Sequence, residues 1–93
     1  MSKYVLITGA SAGIGHEIAK EFAAKKFNLI LVARREERLS VISKDLAQKY
    51  NIEATYIVAD LSDPSSPQMI YNKTHALGLN VEILVNNAGY SIN

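Results

Sequence analysis

The sequence contains no cysteine, so it can form neither a disulfide framework nor a thiolate metal site. This absence fits a reducing compartment, and we expect a cytoplasmic protein. An excess of charge of one sign is also missing, because ten Lys and Arg residues balance nine Asp and Glu residues to a net charge of +1. Without a broad basic field, the chain is not expected to bind nucleic acid.

Long hydrophobic runs are missing as well. The apolar run that follows Lys3 is about four residues long, too short for the core of a signal peptide, and no run approaches the roughly 20 residues that span a bilayer. We therefore expect no membrane partner. At 93 residues the chain is one domain at most. A chain of this length buries only roughly 60 to 65% of its unfolded surface, so its core is modest.

A glycine-rich turn is the most informative feature that the sequence does have. Gly9, Gly13 and Gly15 follow the apolar residues 4–7, and an amphipathic helix is predicted over residues 14–26. The unpaired N–H groups at the start of such a helix favour an anion. Gly9 would allow the sharp exit from the strand, Gly13 the approach of a pyrophosphate, and Gly15 close packing of helix on sheet. Many tight turns that bind no ligand have a similar glycine spacing, so the turn alone does not establish a nucleotide site.

Two arginines follow the next predicted strand. Residues 29–33 form an unbroken apolar run, which is typical of a strand buried on both faces of a parallel sheet. Dinucleotide folds that bind NAD place an acidic residue at the end of this strand, where it hydrogen-bonds the ribose 2′-OH. Here the position holds Ala33, and Arg34 and Arg35 come next. Guanidinium groups bind a phosphate bidentately, so the sequence favours NADP over NAD.

The rest of the chain continues the alternation of helix and strand. The patterns predict a helix over residues 36–50, a strand over 53–59, a helix over 65–78 that ends at Gly78, and a strand over 81–85. Asp60 follows the third strand, and two interpretations of it stay open: turn chemistry and contact with the cofactor. Ser62 or Asp63 could cap the helix that follows.

This order of elements predicts the fold class. Strands joined by crossovers of more than a dozen residues are parallel and right-handed, so we expect an α/β fold with a partial Rossmann-like sheet. The expected sheet has about four strands in the order 3-2-1-4, with the first two helices on one face and the third on the other. The fourth strand would be an uncovered, apolar edge, which predicts that the chain alone is marginally stable, self-associates or is a fragment of a longer polypeptide.

Taken together, these motifs resemble the N-terminal half of a short-chain dehydrogenase/reductase, over all 93 residues. The most specific are Thr-Gly-x-x-x-Gly-x-Gly from Thr8 and Asn-Asn-Ala-Gly from Asn86, in the order and at the separation of that family. The resemblance implies an NADP(H)-binding portion of an enzyme that transfers hydride between NADPH and a carbonyl or alcohol. Residues 1–93 would then be the N-terminal part of the Rossmann domain, with the catalytic half absent and no substrate site of their own.

The resemblance also implies which residues bind the cofactor. The pyrophosphate and adenosine side would be lined by Gly9, Ser11, Ala12, Gly13, Ile14 and Gly15. Arg34, with Arg35, would bind the 2′-phosphate, and Asp60 and Leu61 would flank the adenine. Asn87, Ala88 and Gly89 would run beside the adenosine ribose toward the nicotinamide, whereas Asn86 would be largely structural.

Catalytic residues are not assigned, and neither are metal ligands. The family's proton relay uses a Tyr with a Lys four residues later, together with a Ser and an Asn, and none of the five tyrosines here has that lysine. Tyr71 with His75 is the nearest imitation, but it lies in the third predicted helix, far from where the relay belongs. The chain could therefore be the cofactor-binding part of a reductase or a stand-alone nucleotide-binding or assembly module. A flavin-binding glycine-turn fold is disfavoured by the Asn-Asn-Ala-Gly motif.

Overall fold

A computed structural model of the chain describes residues 3–11 and 13–87. Its elements are, in order, β1 (Lys3–Thr8), α1 (Gly13–Ala24), β2 (Asn28–Ala33), α2 (Glu36–Tyr50), β3 (Ala54–Val58), α3 (Ser66–Ala76) and β4 (Asn80–Val85). All three strand pairs are parallel, and the sheet order is β3-β2-β1-β4. The predicted partial Rossmann-like α/β fold is confirmed. Among the described residues, no helix has the length and apolar character needed to cross a membrane.

Two apolar layers flank the sheet. On one face, α1 and α2 pack Ala19, Ala23, Leu39 and Leu46 against Val5, Ile7, Leu29 and Leu31. On the other face, α3 packs Ile70 against Tyr4, Leu6, Ile30 and Val32. The period of two along β1 and β2 sends alternate side chains to the two layers, which is why both strands read as continuous apolar runs. The helices therefore lie on the faces that the sequence predicted.

Left-handed residues end the helices. The first helix ends at Ala24 rather than at residue 26, because Lys26 has a φ of 70°. The N–H of Phe27 bonds to the carbonyl of Phe22 at 3.1 Å, and the two rings meet edge to face, 5.4 Å apart. This is a Schellman motif with its hydrophobic contact. Gly78, with a φ of 70°, ends α3 in the same way, as predicted.

The third strand is shorter than predicted, at Ala54–Val58, but its flanking residues still bond to β2. The N–H of Leu29 donates to the carbonyl of Glu53, and the N–H of Ala59 donates to the carbonyl of Ala33, both at 2.9 Å. β2 and β3 are therefore paired along their whole length, and their carboxyl ends lie side by side.

Candidate functional site

The candidate site lies at the edge of the sheet where the strands end. The loops that leave β1, β2, β3 and β4 there carry the glycine turn, the two arginines, Asp60 and the two asparagines. Because the carboxyl ends of parallel strands share one edge, motifs far apart in sequence come together in space.

Each of two glycines in the turn has a distinct geometric role. A Cβ on Gly15 would lie 2.0 Å from the carbonyl oxygen of Gly9 and 2.9 Å from Nδ2 of Asn87. Only glycine therefore allows α1 to approach the turn this closely. Gly13 has a φ of 61°, and a Cβ there would meet no atom within 4 Å. Its backbone faces open space, as a surface that receives a ligand must.

The first turn of α1 is electrostatically suited to an anion. It contains no acidic residue, whereas the first turn of α2 carries Glu36 and Glu37. Carboxylates at a helix start offset the positive end of the helix dipole. In α2 that offset comes from the helix's own side chains, whereas the first turn of α1 supplies none and would favour a bound anion such as a phosphate.

The two asparagines connect the end of β4 to the glycine turn. The hydroxyl of Thr8, a residue that is 5% exposed, lies 3.2 Å from Oδ1 of Asn86 and 3.4 Å from the carbonyl of Val85, and can donate to either. Nδ2 of Asn87 donates to the carbonyl of Gly9 at 3.4 Å. Asn86 thus has the structural role that the resemblance implied. Asn87, expected at the ribose, also holds the turn through its side chain.

Arg34 and Arg35 are exposed at the end of β2, next to buried Ala33. Arg35 is the N-cap of α2 and has extended backbone angles, with φ −100° and ψ 103°. A cavity of about 1000 Å³ opens beside them on the face that carries α3. Of the predicted site residues, the structure brings six together around it: Gly9, Ser11, Arg34, Arg35, Asp60 and Leu61.

Asp60 takes part in turn chemistry at the mouth of this cavity. Its Oδ1 accepts hydrogen bonds from the N–H of Ser62 at 3.0 Å and from the hydroxyl of Ser62 at 2.7 Å. These two bonds lower the pKa of Asp60, and the charge of Arg34 acts in the same direction. The hydroxyl of Ser66, a buried residue at the start of α3, donates to the carbonyl of Asp60. The turn interpretation of Asp60 is therefore confirmed, and contact with the cofactor stays a prediction.

The next turn corrects the predicted cap of α3. Ser65 is the N-cap residue, so neither Ser62 nor Asp63 occupies that position. Asp63 instead accepts hydrogen bonds from the N–H and the hydroxyl of Ser65, both at 2.9 Å. It thereby shapes the chain just before the helix, as aspartate does in turns. These bonds lower the pKa of Asp63.

Two of the remaining predicted site residues lie apart from the cavity. Gly13 and Ile14, the latter 71% exposed, line a separate groove of about 640 Å³ along α1. The predicted residues Ala12, Ala88 and Gly89 lie outside the described residues. Tyr71 and His75, which are not predicted site residues, stack on α3, with ring centroids 6.0 Å apart and planes 13° from parallel, and both line the large cavity.

One contact beside the site was not predicted from sequence. The hydroxyl of Tyr56 in β3 donates to Oε2 of Glu36, the first residue of α2, at 3.1 Å. This carboxylate raises the pKa of Tyr56, chiefly through the hydrogen bond. A signal was available, because the period of two along β3 puts Tyr56 on the face that α2 covers.

Comparisons with known proteins agree with this geometry. The family model described as "short chain dehydrogenase" matches residues 3–93. A very-long-chain 3-oxoacyl-CoA reductase of Candida glabrata is 43% identical over 90 residues, which cover 95% of this chain and 25% of that protein. The human inactive hydroxysteroid dehydrogenase-like protein 1 is 41% identical over 88 residues, 94% of this chain and 26% of that protein.

A solved structure extends the likeness to three dimensions. L-sorbose reductase from Gluconobacter frateurii, in complex with NADPH and L-sorbose, superposes with a TM-score of 0.89 at 33% identity, covering 99% of this chain and 35% of that one. The chain thus spans about a quarter to a third of the length of the relatives that it matches.

Proposed function

This chain belongs to the short-chain dehydrogenase family, and we propose that it is the NADP(H)-binding portion of an oxidoreductase that transfers hydride between NADPH and a carbonyl or alcohol. Residues 1–93 would form the N-terminal part of the Rossmann domain, and the groups that move the proton would come from outside them. The coverage of about a quarter of the length of relatives supports this division.

One observation carries the proposal: a single cavity joins the glycine turn to Arg34 and Arg35. A dinucleotide needs an anion site for its pyrophosphate and a second site, at the tip of the next strand, for the ribose. Ala33 stands where a carboxylate would favour a free 2′-OH, and the guanidinium groups beside it suit a 2′-phosphate. We therefore favour NADP(H) over NAD(H), in keeping with the NADPH bound to L-sorbose reductase.

The residues present fit such a cofactor. The start of α1, whose first turn has no acidic residue, and the open backbone at Gly13 would receive the pyrophosphate. Gly9 and Ser11 of the same turn line the cavity that Arg34 and Arg35 also line. Asp60, held by Ser62, and Leu61 would flank the adenine. The nicotinamide supplies the hydride, and the part of the protein described here binds and orients the nucleotide.

A second candidate is a nucleotide-binding module without catalysis. A relative described as inactive is 41% identical to this chain, close to the 43% of a reductase. Likeness in this part of the fold is therefore compatible with cofactor binding that does not lead to turnover. We also propose that the uncovered edge strand β4 makes the isolated chain self-associate, since Leu84 on it is 65% exposed.

Calorimetric titration of the chain with NADPH and with NADH tests the cofactor assignment. Arg34→Ala should weaken NADPH binding about tenfold to a hundredfold and leave NADH unaffected, because one charge-assisted hydrogen bond is worth about 1.5–3 kcal/mol. Arg38→Ala is the matched control, since Arg38 is exposed in the first turn of α2 and is not among the described residues that line the cavity. Equal affinity for the two nucleotides, before and after the change at Arg34, would refute the assignment.

A further inference from the structure

We propose that Tyr56 is a positioning residue for nucleotide selectivity, because it holds the carboxylate of Glu36 away from the cavity where the 2′-phosphate would bind. This inference rests on the proposed function and adds a residue to it that lies outside the cofactor site.

The contact itself joins two elements on one face of the sheet. Tyr56 in β3 packs, half-buried, against the core layer that α1 and α2 cover, and its hydroxyl donates to Oε2 of Glu36 at 3.1 Å. The side chain of Ser40, one turn further along α2, lowers the pKa of Tyr56, but the larger effect of Glu36 leaves that pKa raised. A neutral phenol is a good donor to an ionised carboxylate, so this bond fixes where the charge of Glu36 lies.

The cavity opens on the opposite side. It is lined by Leu6 and Ile70 from the other core layer, and by Arg34 and Arg35 at its mouth. Glu36 follows Arg35 directly in the chain, yet it is not among the described residues that line the cavity. The chain therefore turns from the two cations toward Tyr56 within one residue.

The position of this one carboxylate matters for the choice between nucleotides. If Glu36 faced the cavity, it would repel a 2′-phosphate and accept a hydrogen bond from a free 2′-OH, as an acidic residue at this strand end does in NAD-binding folds. It could also pair with Arg34 or Arg35 and offset their charge. Tying it to Tyr56 keeps this carboxylate from offsetting the charge of either guanidinium group.

The test compares binding of NADPH and NADH to the full chain in four variants: Tyr56→Phe, Glu36→Gln, the double variant and Glu37→Gln. Tyr56→Phe should lower the ratio of NADPH to NADH affinity about threefold to fivefold, the scale of one exposed charge contact. The double variant should restore the ratio, because the freed side chain then carries no charge. Glu36→Gln alone and the neighbouring control Glu37→Gln should leave it unchanged.

Three results would overturn the inference. One is an unchanged ratio in Tyr56→Phe with an unchanged melting temperature, and another is a reduced ratio that Glu36→Gln does not rescue. The third, which does not depend on the folding of Tyr56→Phe, is a clear rise of the ratio in Glu36→Gln alone, since Glu36 would then already act on the site. If the unaltered chain binds NADPH preferentially, such failures leave the proposed function intact. If it binds neither nucleotide, the proposed function fails and this inference with it.

Discussion

Strands β2 and β4 have the same length and similar sequences but very different surroundings. Both are six residues long and begin with asparagine, NLILVA in β2 and NVEILV in β4, and both pair in parallel with β1. Leu6 of β1 is even flanked by Ile30 on one side and Leu84 on the other. Ile30 is fully buried, whereas Leu84 is 65% exposed.

The difference lies in what covers each strand. β2 has a neighbour on both edges and a helix layer on both faces, so five of its six residues are buried. Within residues 3–11 and 13–87, β4 pairs on one edge, and none of its residues is fully buried. Continuous apolar sequence is typical of a covered strand, so the sequence of β4 favours the proposal that this strand associates with a further apolar surface.

The largest expected effect is a difference in stability between the same substitution, Leu to Ala, in the two strands. Leu31→Ala in β2 should lower the free energy of unfolding by about 2–5 kcal/mol, because it leaves a cavity in a packed layer. Leu84→Ala should change it by about 0.5 kcal/mol or less, as expected for an exposed side chain. Urea unfolding measures both values.

Light scattering on the same pair separates burial from association. Leu84→Ala, but not Leu31→Ala, should reduce any self-association of the chain while preserving its fold. A large loss of stability from Leu84→Ala in a chain shown to be monomeric would mean that β4 is covered after all.

A smaller effect concerns the carboxyl end of β4, which Asn87 joins to the glycine turn although the middle of the strand is exposed. Gly15→Ala should cost about 2–3 kcal/mol, since the new Cβ would overlap the carbonyl of Gly9 and crowd Asn87. Gly13→Ala should cost about 1–2 kcal/mol, from its left-handed backbone alone. Thermal unfolding gives the comparison, and an equal cost at the two positions would argue against the close contact between α1, the turn and β4.

The smallest effect compares the two sides of the sheet at its amino end. On the β3 side, the hydroxyl of buried Tyr4 donates to Oε1 of Glu53 at 2.6 Å. On the β4 side, Lys3 and Glu82 form an exposed ion pair at 3.6 Å. Tyr4→Phe should cost about 1 kcal/mol at neutral pH, and Glu82→Gln about 0.5 kcal/mol or less.

The dependence on pH provides a second test of the Tyr4 contact. Burial and the Glu53 carboxylate raise the pKa of Tyr4 from 10.0 to about 12. Because the folded-state pKa is the higher one, the contribution of neutral Tyr4 is complete below pH 10 and is lost as pH rises toward 12. Denaturant midpoints across that range should fall more steeply in the unaltered chain than in Tyr4→Phe. Parallel curves would contradict the assignment.

The sequence predicted the fold more completely than the site, because secondary structure follows from local patterns whereas the site depends on contacts between residues that are distant in sequence. Unbroken apolar runs, helical periodicity and Gly78 are local signals, and they predicted the strands and helices. The general order of doubly wound parallel sheets then gave the strand order and the faces on which the helices pack. The left-handed turn at Lys26 was missed, since nothing about a lysine indicates that conformation. The roles of Asp60 and Glu36 depend on the residues that they contact. The partner of Asp60, Ser62, is near in sequence, and two interpretations of Asp60 stayed open. The partner of Glu36, Tyr56, is 20 residues away, and this contact was not predicted.

Amide NMR of the chain during titration with NADPH tests the central claim most directly, that the glycine turn and Arg34 form one nucleotide site. The account predicts that the largest shift changes fall at Gly9, Gly13 and Arg34, while Asn28 and Glu53 at the opposite edge of the sheet stay unchanged. Changes confined to residues 16–25 of α1 and its C-terminal turn or to the amino ends of the strands, or no changes at a saturating concentration of NADPH, would contradict it.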